Sequence, residues 1–396
     1  MNHILNSSFN KKLKQGIVLF FLVLLFIPLI QKITSFCKEK PLINDVLTSP
    51  ISPDFSIYSW NTGELQENYE KYFKEHVGFR SSFIRVQNQI NFDLFKQTNV
   101  LRVVAGKENV LYDSEYINSY LGKDFVGEQN IIQKVNRLAF VQRELKKKNI
   151  DLLFLIPCGK ASYLSEYFPN RYANILKKRT NYDAYIEQFK KQNINFIDFR
   201  DLLQQKKRTS RYPLFPKTGV HWSGYSTTLT ADTLFKRMEQ LRNIDLVDFY
   251  QDGGEETYIS KNTDNDICSA MNLLVDIKPW KMYYPNIVFK TKDHTKVKPN
   301  VLIIGDSFVW TWITFYPYIP NLFNDSSSFW WYNESVQWPL KNGEAPYKVS
   351  TLNFKNEIYK RDYILLVFNE SNLVNGDYNF TDQMYNTISQ DSIAVK

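Results

Sequence analysis

The sequence predicts an α/β fold with a mostly parallel sheet between helices, preceded by a membrane anchor. Three observations carry this: one long apolar run near the start, short uninterrupted apolar strands, and amphipathic stretches alternating with those strands from about residue 128 onward. Strands that read as continuous apolar runs are covered on both faces, and ligands in such sheets sit beyond the carboxyl ends of the strands. At 396 residues, 43% hydrophobic and 16% aromatic, the chain has ample material for a packed core.

The apolar run comes first. Gly16 to Ile30 is uncharged but spans only about 22 Å as a helix, whereas Leu13 to Phe36 reaches about 36 Å if Lys14 and Lys32 snorkel to the interfaces. No small-residue cleavage site follows, which favours an uncleaved signal anchor over a cleaved signal peptide. Lys11, Lys12 and Lys14 ahead of the run place the N-terminus in the cytoplasm and everything beyond about residue 40 outside it, as a single-pass protein of the cytoplasmic membrane. Of the net charge of +8, residues 1–40 hold +5, leaving only +3 on the rest. That residue is too small for a nucleic-acid partner.

Residues 41–63 read as a proline-rich linker ending in an edge segment. Residues 64–95 space their apolar side chains at threes and fours, which predicts a helix or helix pair forming an N-terminal arm to one large domain over 64–396. "VLRVVAGKENVLY" predicts a hairpin around Gly106 and Lys107. The alternation then runs helix 128–148, strand 151–157, helix 181–192, strand 195–199, a helix after His221, strand 300–305, a helix after Ser307, and strand 363–368. Cys37 lies at the membrane edge, and Cys158 and Cys268 are either paired or two buried thiols. No Cys/His spacing suggests a structural metal, and no cofactor is expected.

Four strand ends therefore merit inspection: 157–160, 199–201, 305–307 and 369–370. At the third, "VLIIGDSFVW" stops a buried strand at Gly305-Asp306-Ser307. A helix start there offers unsatisfied N–H groups to an oxyanion beside a serine nucleophile. The alternative is that Asp306 or Ser307 only caps the helix. A serine needs a base. His3 lies on the cytoplasmic tail, His76 in a helical stretch and His294 in a polar turn, which leaves His221 in "FPKTGVHWSGYS".

These residues resemble the SGNH-hydrolase-like domain of alginate O-acetyltransferases of the AlgX/AlgJ type. The resemblance rests on "GDSF" preceded some ninety residues earlier by a "THW"-like segment, together with "YFKEHVGFR", "VVAGKENVLY", "IPCGKASYLSEYFP" and "NDICSAMNLL" in that order. It implies a flavodoxin-like sheet, Ser307 as nucleophile and His221 as base in acyl transfer to sugar hydroxyls in the periplasm, and a membrane-bound O-acyltransferase as partner supplying the acyl group. The family carries an aspartate two residues before the histidine, where this chain has Gly219. Asp264, Asp266, Glu334 and Glu370 remain candidates for the orienting acid, and Asp306 belongs to the motif without being a good one. For a polysaccharide acceptor the sequence offers Lys160, Trp222, the segment around Trp331, Tyr332 and Asn333, and the strand end with Asn369 and Glu370. Asn369 and Asn372 are candidate oxyanion donors, while Trp310 and Trp312 suit packing. Two other functions are open to this reading: a carbohydrate acetylesterase, and a non-catalytic glycan-binding or secretion-complex protein, which the missing carboxylate at 219 would suit.

Overall fold

In a computed structural model, residues 2–44, 52–172, 174–293, 295–340 and 343–394 are described, the side chains of 2–10 and 391–394 excepted. His294 and part of the 41–63 linker lie outside them, as does the side chain of His3. The chain divides into two compact units, Met1–Val100 with Ser269–Asp276, and Leu101–Cys268 with Ile277–Lys396.

The first unit is helical. Helix Asn2–Thr34 contains the segment Lys11–Thr34, 24 residues with a mean hydropathy of 2.5, long and apolar enough to cross a membrane. The end of the linker is a short helix, Ile57–Thr62, instead of an edge segment, because the Ser56 hydroxyl accepts from the Ser59 N–H and caps it. The helix pair follows as Glu64–His76 and Arg80–Phe95. From the second of these, Arg85 and Asn88 donate to the carbonyls of Leu273 and Met271, holding the returning segment 269–276.

The second unit contains the sheet. In chain order the strands are β1 (Val103–Ala105), β2 (Leu111–Asp113), β3 (Asp151–Ile156), β4 (Phe196–Asp198), β5 (Phe249–Thr257), β6 (Met282–Phe289), β7 (Val301–Gly305), β8 (Ser328–Trp331), β9 (Ser335–Trp338), β10 (Tyr347–Lys348) and β11 (Tyr363–Val367). The main sheet has the order β10-β9-β8-β7-β11-β3-β4. β8, β7, β11, β3 and β4 run parallel, with β9 and β10 antiparallel at one edge. β3, β7 and β11 are buried at every position, so alternate residues feed two separate cores. Leu153, Ile303 and Leu365 face one, with helix Gly224–Arg242, and Leu152, Ile304 and Leu366 face the other, with helices Glu128–Lys147 and Phe380–Ala394.

Every expected sheet strand forms, and three features differ from the sequence reading. β5 and β6 make a separate antiparallel ribbon whose outer strand is solvated and polar, so no apolar alternation announces it. The segment around Trp331, Tyr332 and Asn333, to which the sequence reading assigns no strand, is the β8–β9 hairpin, turned by Tyr332 and Asn333 at φ 50° and 57°. The helix expected after Ser307 is a six-residue 3-10 turn, Ser307–Trp312.

Ile303 sits at the centre of β7 with 1% of its surface exposed. Ile303→Ala is expected to lower unfolding stability by about 2–5 kcal/mol, read from the denaturant midpoint, with the sheet's circular dichroism retained.

Candidate active site

Ser307 is placed by strand β7 and by one buried carboxylate. The Asp306 N–H donates to the Val367 carbonyl at 2.9 Å, continuing the β7–β11 ladder one residue past the strand. Its carboxylate accepts from the Phe308 N–H, the Asn369 N–H and the side-chain amides of Asn369 and Asn372, at 2.6–3.0 Å. Burial pushes the Asp306 carboxyl up and these donors oppose the shift. Asp306 is thus a brace between two strand ends and the start of the 3-10 turn. Gly305 is required by space: a Cβ there would lie 2.8 Å from both the Val309 side chain and the Val367 carbonyl.

His221 arrives on the loop 213–223. That loop is closed by the Ser223 N–H and hydroxyl donating to the carbonyls of Leu214 and Pro213, and Ser223 then caps helix Gly224–Arg242. The next residue, Trp222, donates its indole N–H to the Thr311 hydroxyl at 2.8 Å and packs on Phe308 and Trp312, fully buried. It docks the loop on the serine turn and has no surface for a ligand, contrary to its expected place among substrate contacts. Lys160 is corrected in the same way. Its ammonium is buried and donates to the carbonyls of Lys217 at 3.0 Å and Gly219 at 2.7 Å, so it clamps the histidine loop from beneath.

The result is a relay. The Ser307 hydroxyl lies 2.8 Å from His221 Nε2, and His221 Nδ1 lies 2.7 Å from Asp266 Oδ2. An ionised carboxylate only accepts, so Nδ1 carries the proton, which leaves Nε2 to accept from the serine O–H. Asp266 Oδ1 meanwhile accepts from the Val220 N–H at 2.9 Å, holding the acid to the histidine's own loop. Of the four acids the sequence offers, Asp266 meets His221. Asp264, two residues earlier, points inward: fully buried, it accepts from the Tyr284 hydroxyl at 2.9 Å. Glu370 is buried too, bound by Arg200, the Ser162 hydroxyl and the Gly159 N–H, and braces the β3 and β11 ends without meeting a ligand surface.

Gly219 explains where the usual aspartate went. A Cβ at 219 would lie 2.3 Å from the Thr263 carbonyl and 2.8–2.9 Å from the backbone of Asp264. The segment that delivers Asp266 occupies the space an aspartate at 219 would need. It is fastened there by the Cys268 N–H donating to the Thr218 carbonyl and the Thr218 hydroxyl to the Asp264 carbonyl. Cys158 and Cys268 are both buried thiols that form no disulfide.

Ser307 opens onto a cleft of about 590 Å³ lined by Tyr116, Tyr332, Tyr378, Asn118, Asn369 and Asn372, among others. Tyr332 and Asn369 line this cleft with Ser307, although the Asn369 and Asn372 amides already serve Asp306. Trp331 and Asn333 face elsewhere. Trp331, 37% exposed, borders a neighbouring cavity, and the buried Asn333 amide holds Tyr378 and Gln383. Sequence reading missed the contribution of Arg102, Asp113, Glu115 and Tyr116, from the β1–β2 hairpin and the helix after it. The Asp113 carboxylate caps helix Ser114–Leu121, the one signal that could have placed that helix at the cleft.

Fold and site together define an SGNH-hydrolase-like domain. The model of the family described as the SGNH hydrolase-like domain of acetyltransferase AlgX matches residues 103–325, and the chain belongs to that family, whose members are O-acetyltransferases of this type. Among solved structures it is similar to the O-acetyltransferase domain of Pseudomonas putida AlgJ, with 16% identity, TM-score 0.45, and 72% of this chain and 99% of that chain covered. It is also similar to Bacillus cereus PatB1, at 14% identity and TM-score 0.40 over 64% and 93% of the two chains. For Pseudomonas aeruginosa AlgX the values are 13%, 0.39, 67% and 55%. Among curated proteins none matches the sequence.

Gly219→Ala is expected to push the 263–266 segment away from His221 and slow labelling of Ser307 by a phosphonate serine reagent by about 10–100-fold, with unchanged circular dichroism. A second expectation follows from Asp264, whose carboxyl burial lifts from 3.8 to about 8. The folded chain keeps this proton where the unfolded chain has lost it. Stability from this group is therefore full below pH 3.8 and falls as pH rises toward 8. Asp264→Asn should flatten that decline in denaturant midpoints measured across the window.

Proposed function

We propose that this protein is a membrane-anchored polysaccharide O-acetyltransferase acting through a Ser307 acyl-enzyme. The observation that carries the reading is the Ser307–His221–Asp266 relay at the floor of an open cleft. His221 Nε2 takes the proton as Ser307 Oγ attacks the donor's acyl carbonyl, and returns it to the departing donor group. A glycan hydroxyl then gives its proton to Nε2 and attacks the serine ester, and the proton passes back to Ser307 Oγ as the acetylated sugar leaves. Asp266 fixes the imidazole tautomer and stabilises the cation formed in each half. Asn369, which lines the cleft beside Ser307, and the main chain at the start of the 3-10 turn would serve as donors to the developing oxyanion. The apolar helix Lys11–Thr34 supports a signal anchor in the cytoplasmic membrane with the acyl-transfer domain on the periplasmic side, where an integral membrane O-acyltransferase would deliver the acyl group.

The test is intact mass after brief exposure to an activated acetyl ester. The parent should gain one acetyl and Ser307→Ala none, and an oligosaccharide should discharge the adduct faster than water does. Discharge indifferent to acceptor would mark an esterase, and equal acetylation of parent and Ser307→Ala would remove the serine mechanism. Asp266→Asn should reduce acylation by about 10²–10⁴-fold, because its side-chain amide no longer enforces the productive tautomer.

A further inference from the structure

The charge of the cleft selects among glycans, an inference that rests on the acyl-transfer reading above. Four carboxylates, Asp113, Glu115, Asp124 and Glu334, line the cavity that opens on Ser307, against a single cation, Arg102. Arg102 is already paired with acids. Its guanidinium bonds Asp113 at 3.2 and 2.6 Å and reaches Glu115 at 2.7 Å, so both acids hold it against the wall. The lining thus carries a formal charge of −3, with the Asp306 carboxylate buried behind Asn369 and Asn372.

A carboxylate-bearing sugar entering this space would meet an excess of like charge, the one cation of the lining being already shared by two acids. Like-charge juxtaposition is a device of specificity, and confinement by low-dielectric walls strengthens it. The remaining walls suit an uncharged pyranose: the Tyr332 and Tyr378 rings stand 4.6 Å apart between centroids, with Asn118 and Asn375 beside them. The neighbouring cavity by Trp331 shares Glu334 with the cleft and adds Lys348 among amides and hydroxyls, so it supplies no excess positive charge either.

We propose that the acceptor accommodated at Ser307 is a glycan whose units carry no carboxylate, and that the acidic rim excludes polyuronates. The test uses the full chain in detergent as Ser307→Ala, with a neutral gluco-oligosaccharide and a polyuronate of equal length as probes, titrated from low to physiological salt. The neutral probe should bind at least about tenfold tighter at low salt, and polyuronate binding should strengthen as salt shortens the screening length. Glu334→Lys should narrow the ratio. Polyuronate binding that is tighter than neutral binding and weakens with salt would overturn the inference, as would absence of binding by both probes. Acetylation of Ser307 in the parent is read separately, so the acyl-transfer reading and the acceptor class fail independently.

Discussion

The Asp306 carboxylate is the contact on which the site depends. It is buried at the carboxyl end of a central strand, where an unpaired charge would be costly, and four N–H donors from three directions meet that cost. Those donors belong to the serine turn and to the end of β11, so satisfying one charge fixes both. The motif aspartate is therefore an architectural group, and its neighbour Ser307 owes its position to it. Trp222 and Lys160 extend the same logic to the histidine loop. One pins the loop from the side through Thr311, and the other holds its carbonyls from below.

The buried pair Lys160 and Asp264 shows how the loop is set without a conventional ion pair. Burial pushes the Lys160 amine down to about 7 and the Asp264 carboxyl up to about 8, disfavouring the charge on each. Lys160 bonds two backbone carbonyls, and one oxygen of Asp264 accepts from the Tyr284 hydroxyl. The acid left to serve His221 is Asp266, which the half-exposed turn keeps outside that interior.

Much of this was legible in the sequence. The sheet strands announce themselves because parallel strands covered on both faces need unbroken apolar runs, and Ser307 and His221 follow from strand-end placement and elimination among four histidines. The choice of Asp266 over Asp264 was not legible. The two stand two residues apart in one loop, and only the close approach of that backbone to Gly219 decides which points inward. Trp222 and Lys160 were read as ligand contacts because burial of a tryptophan or lysine leaves no periodic trace in a loop. The acidic rim was invisible for a similar reason, since its members come from a hairpin, a helix start and a distant strand turn that only the fold brings together.

The position of β11 has one further consequence. The last strand among the described residues, Tyr363–Val367, lies between β7, the middle strand of the sheet, and β3. Both halves of the sheet must wait for it, and the donors that brace Asp306 follow it directly. Ser307, His221 and Asp266 all precede it in the chain, yet the brace that positions the serine is complete only once this strand is in place.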